Sequence, residues 1–100
     1  MDKLKKFELM EKIVRELDDL KRSQQAVLEK IGKIEVDNIE LGDGRLEKML
    51  PDIYQRTAEN MDNITGLLDA FAGKTDEFAD KNKVDQLRQQ HEMDNPQGNK

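Results

Sequence analysis

The chain has 100 residues and a net charge of −5, with 39% charged and 35% hydrophobic side chains, no Cys, no Trp, one His and four aromatic residues. Disulfide scaffolds, thiol catalysis and zinc sites therefore lack their usual ligands, and the length allows one domain at most. No apolar run approaches the roughly 18 residues needed to span a bilayer, so membrane insertion is not expected.

Met1 to Lys6 leads into a charged amphipathic stretch and not into an apolar signal-peptide core, so no Sec signal is expected. Charge is unevenly spread: residues 1–33 carry nine Lys/Arg against seven Asp/Glu, residues 34–80 carry four against twelve, and residues 81–100 carry four against three. The acidic second half is a poor surface for a phosphate backbone, and nucleic-acid binding is not expected.

From Leu4 to Ile34 the apolar residues Phe7, Met10, Ile13, Val14, Leu17, Leu20, Val27, Leu28, Ile31 and Ile34 recur at helical spacing. Written as a heptad, Met10, Leu17, Gln24 and Ile31 occupy a, Ile13, Leu20, Val27 and Ile34 occupy d, and Phe7, Val14, Lys21 and Leu28 occupy e. A stripe of three rows suits the inside of a bundle with two neighbours, whereas a strict a/d seam serves one. The pattern predicts a helix over about 3–32. Gln24 breaks the a row with a polar side chain. It either fixes register or partner choice, or marks a place where the stripe is exposed.

Beyond Gly32 the pattern changes. Ile34, Val36, Ile39 and Leu41 alternate with polar residues as an extended segment would, which predicts a loop over about 33–43. Asp43 is placed to cap a following helix. The acidic, Gly-containing run Asp37 to Gly44 is not an EF-hand loop: setting either Gly42 or Gly44 sixth puts Ile39 at a ligand position.

A second amphipathic helix is predicted over about 44–80, with Ile53, Tyr54, Thr57, Met61, Ile64, Leu68, Phe71, Thr75 and Phe78 stepping by three and four. Pro51 either starts this helix after a separate short turn or kinks it. Residues 81–100 are polar and predict a fraying, then disordered tail.

The resulting fold is all-α: an antiparallel two-helix hairpin over 1–80 that completes a helical bundle by oligomerisation or partner binding. No cofactor is expected. His91 has Glu92 beside it but no second His or nucleophile, and pairs such as Asp18-Asp19 and Asp76-Glu77, with Asp62 and Asp69, sit on polar faces. Neither arrangement favours acid/base catalysis, and a non-enzyme is predicted. The expected partner-binding face is Met10, Ile13, Leu17, Leu20, Gln24, Val27 and Ile31 on the first helix. On the second it is Ile53, Thr57, Met61, Ile64, Leu68, Phe71 and Phe78. Met10, Met49 and Met61 with Phe7, Phe71 and Phe78 either form an adaptable binding surface or pack within the hairpin.

This layout of helix, short Gly-containing break, helix and polar tail resembles the W-x-G family of small type VII secretion proteins. It is closer still to the helical partners of LXG-domain toxins in Gram-positive bacteria. The resemblance spans about residues 4–85 and lies in architecture. At the break the chain has Leu41-Gly42-Asp43-Gly44 in place of W-x-G. The Tyr-x-x-x-Asp/Glu export pattern is also missing, since Tyr54 is followed at that distance by Ala58. The resemblance implies a cytoplasmic or co-secreted adaptor or chaperone that binds a helical effector domain or secretion component and supports its export. The alternative is a structural or regulatory coiled-coil protein that pairs with itself.

Overall fold

The computed structural model describes residues 1–94, and the predicted disorder of 95–100 lies outside them. Three helices account for nearly all of the described chain: α1 (Lys3–Leu41), α2 (Gly44–Lys81) and α3 (Val84–Asp94). The two long helices pack antiparallel, so the all-α hairpin expected from the periodicity is what the chain forms. Its packing divides into two compact units, residues 16–68 and residues 1–15 with 69 onward.

In the unit of residues 16–68, α1 does not stop near Gly32. It continues to Leu41, and the predicted loop over 33–43 shrinks to the Gly42-Asp43 turn. The alternation of Ile34, Val36, Ile39 and Leu41 misled because these side chains are 39–83% exposed. The inward positions of the same turns are Ile31, Glu35 and Asn38, buried, half-buried and buried in that order. A count of apolar residues passes over the last two.

The turn is held by polar groups. Asn38 is 7% exposed. Its amide nitrogen donates to the Asp43 carbonyl at 3.1 Å, and its amide oxygen accepts from the Asp43 N–H at 2.9 Å. Gly42, at φ 72°, donates its N–H to the Asn38 carbonyl at 2.7 Å. That is the left-handed cap with which a helix commonly ends, and glycine adopts it without the Cβ penalty. Asp43 then caps α2 as predicted, its carboxylate accepting from the Leu46 N–H at 2.9 Å.

Helix α2 runs unbroken through Pro51, so the alternative of a separate short turn before it is not realised. Pro51 is exposed, which keeps its ring off the packed side. The core of this unit is Leu28, Ile31, Leu50 and Ile64, with Leu17, Thr57, Met61 and Leu68 half-buried around it.

The other unit contains a helix where fraying was predicted. After Phe78 the chain turns at Asn82-Lys83, with Lys83 at φ 50° and the Asn82 side chain donating to the Phe78 carbonyl at 3.0 Å. A left-handed Lys costs roughly 1–2 kcal/mol, and what offsets it is tertiary. Val84, only 2% exposed, is the most buried apolar side chain described. Arg88 lies 5.1 Å from the centre of the Phe7 ring and 2.8 Å from Glu11, tying α3 to the first turns of α1. Lys6 caps the Phe78 ring at 5.2 Å. With few aliphatic residues, α3 depends on one deeply buried valine and one arginine stacked on an aromatic face.

Candidate helix-docking face

One helix packed against α1 covers only part of a three-row stripe. In the unit of residues 16–68 the rows turned inward are a and e, where Leu28, Ile31 and Asn38 are buried and Leu17, Lys21 and Gln24 half-buried. The d row stays open, with Leu20 45%, Val27 43% and Ile34 39% exposed. On α2 the seam runs through Leu50, Thr57, Met61, Ile64 and Leu68, while Ile53, Asn60 and Leu67 form an exposed row beside it at i, i+7 spacing.

The two open rows lie on the same side of the hairpin. Gln24, next to the open row of α1, and Asn60, within the open row of α2, meet across the seam, the Asn60 amide donating to the Gln24 oxygen at 3.4 Å. This bond is long and weak, but it fixes the sidedness. Leu20, Val27 and Ile34 from one helix and Ile53 and Leu67 from the other thus border one groove-like surface. Gln24 takes neither extreme that the sequence left open: half-buried, it bonds across the hairpin at the edge of the exposed face.

The predicted face therefore divides. Ile31 and Ile64 are core side chains, and Leu17, Thr57, Met61 and Leu68 line the seam half-buried, so these six serve the hairpin itself. Leu20, Val27 and Ile53 are open, and Gln24 borders them. In the other unit Met10 is core, Phe71 and Phe78 are half-buried and Ile13 is 36% exposed. Of the Met and Phe residues considered for a binding surface, Phe7 and Met10 are buried and Met49 alone lies well open, at 46%. Ile34 and Leu67 were missing from the predicted face. Ile34 continues the d row and was lost because its segment reads as extended.

Chemistry-bearing groups do not converge. Among the described residues no group of three or more His, Cys, Asp or Glu side chains is placed to hold a metal ion. His91 is exposed on α3, at the edge of a wide cleft of about 840 Å³ shared with Asp2, Lys5 and Arg88. Asp18 pairs with Arg22 at 3.0 Å along α1, an exposed i,i+4 pair. Among the described residues no helix is long and apolar enough to cross a membrane.

Gly32 and Gly66 have nothing within 4 Å of where a Cβ would stand. Packing within the chain requires neither of them. Compared with family models, curated proteins and solved structures, the chain matches none.

Proposed function

We propose that the chain is a non-enzymatic helical adaptor that binds a helical domain of another protein by seating a helix on the open face of residues 16–68. The supporting observation is the unfilled third row. Leu20, Val27 and Ile34 extend an apolar stripe wide enough for two neighbours, and α2 occupies one of those places. A partner helix resting between this row and Ile53 and Leu67 would supply the other, the helix-in-groove mode of recognition. The architectural resemblance to LXG-toxin partners points to an effector of type VII secretion as the protein bound, with the adaptor holding or presenting it for export.

The test is co-purification from the native host with the parent chain and a Val27→Asp variant. Loss of a stoichiometric helical partner from the variant, with helicity retained and Tm lowered by no more than roughly 4–8 °C, is the expected result. A partner that stays bound to Val27→Asp and to Leu20→Asp overturns the face. A homodimer in solution that Val27→Asp dissociates, with no second protein bound, replaces the adaptor by a self-pairing coiled-coil protein.

A further inference from the structure

At the tip of the hairpin in residues 16–68, away from the open rows, the last turns of α1 and the first turns of α2 enclose a cleft of about 470 Å³. Val36, Ile39, Leu46, Leu50 and Pro51 supply its apolar lining. Val36 and Ile39 are 65% and 83% exposed, among the most exposed aliphatic side chains of the chain. Nothing within the hairpin covers them.

The two charged side chains that line the cleft, Glu35 and Glu47, are both acidic. Residues 35–52 hold six Asp/Glu against two Arg/Lys. Asp52 pairs with Arg56 at 3.1 Å, and Asp43 is engaged in capping α2. Glu35 and Glu47, which line the cleft, take no part in an ion pair among the described residues, and Asp37 and Glu40, likewise without one, do not line it. Helix α1 has no basic residue in its last turn, and Glu40 stands where the helix dipole disfavours negative charge. These carboxylates do not stabilise the hairpin end. Glu35 and Glu47 border a largely apolar lining.

We infer that this tip cleft is a second docking site, separate from the open face, for a short amphipathic protein segment carrying two or three apolar side chains flanked by Lys or Arg. Charge complementarity selects the occupant: a basic segment would neutralise the two unpaired carboxylates that line the cleft, Glu35 and Glu47, and an acidic one would be repelled. A small polar ligand fits less well. Such sites depend on a few convergent polar groups, and the polar side chain of the floor, Asn38, has both ends of its amide committed to Asp43. The site acts on a partner protein through burial and charge.

The experiment titrates the full 15N-labelled chain with two designed helical peptides of identical apolar pattern, one Leu/Lys and one Leu/Glu. The Leu/Lys peptide should move the amide resonances of Val36, Ile39, Gly42, Leu46 and Glu47, with at least tenfold preference over Leu/Glu and weakening as salt is raised. Glu35→Lys with Glu47→Lys should reduce its affinity about tenfold or more. Ile39→Ser, at a site exposed enough to leave the fold intact, should also weaken it. The inference is overturned if the two peptides bind equally, if the shifts fall on Leu20, Val27 and Leu67, or if neither binds at millimolar concentration. It is also overturned if unlabelled chain moves the tip resonances, which would make a second copy the occupant.

Discussion

Asn38 offers the sharpest test of how the hairpin closes, because it is a buried polar residue in a place where sequence reading expects a loop. Its amide makes two bonds to the Asp43 backbone, at 3.1 and 2.9 Å. Each is worth about 0.5–1.5 kcal/mol net, so Asn38→Ala removes between about 1 and 3 kcal/mol. Asp43 is exposed, so water can reach the backbone groups set free, and the cost falls in the lower half of that range, about 1.5 kcal/mol. For a chain of this size that lowers Tm by roughly 6–12 °C. Thermal and urea unfolding followed by circular dichroism at 222 nm measures it, with helicity at 20 °C unchanged. Asn38→Asp keeps an acceptor for the Asp43 N–H but sets an oxygen against the Asp43 carbonyl, so it should be at least as damaging at neutral pH. A fall in Tm below about 2 °C for both variants would mean that the clamp contributes nothing and that Gly42 and Asp43 close the turn alone.

The glycines should respond with opposite signs. Gly32→Ala and Gly66→Ala, with open space at each Cβ position, should stabilise by about 0.8–1 kcal/mol each in urea unfolding. Gly42→Ala, also uncrowded but at φ 72°, should cost about 1–2 kcal/mol. Val84→Ala removes two carbons from a side chain 2% exposed. It should cost about 1.5–2 kcal/mol and speed amide exchange across residues 84–94, whereas unchanged protection there would show that α3 is held otherwise. Ile64→Asp and Val27→Asp separate core from face. The first buries a charge and should unfold the chain, while the second, on a side chain 43% exposed, should cost about 1 kcal/mol and leave a folded monomer.

The sequence carried the helical period of both long segments, the Asp43 cap and the hairpin itself, since these are local or one-dimensional signals. It misplaced the end of α1. The inward positions there are Glu35 and Asn38, and a pattern search looks for hydrophobic residues at inward positions. It also missed α3, whose two aliphatic residues are too few for a period. That helix is stabilised by Arg88 against Phe7 and Glu11, contacts more than 75 residues apart in sequence that no local rule reports.

The same limit governs the candidate face. The heptad assignment puts four apolar residues in d and three each in a and e, where Gln24 and Lys21 intervene, yet nothing in the spacing says which two rows the chain will cover with its own second helix. That choice is made by α2, which brings Thr57, Met61, Ile64 and Leu68 against a and e and leaves d with Leu20, Val27 and Ile34 at the surface. Substitutions chosen from the stripe alone therefore confound folding with binding: a charge at Ile64 or Ile31 strikes the core, and a lost complex would report only a lost fold. Charges at Leu20, Val27 or Leu67 do not share that fault. Each of these side chains is between 43% and 56% exposed, so a complex lost on charging them, with the chain still folded and melting cooperatively, reports the contact itself.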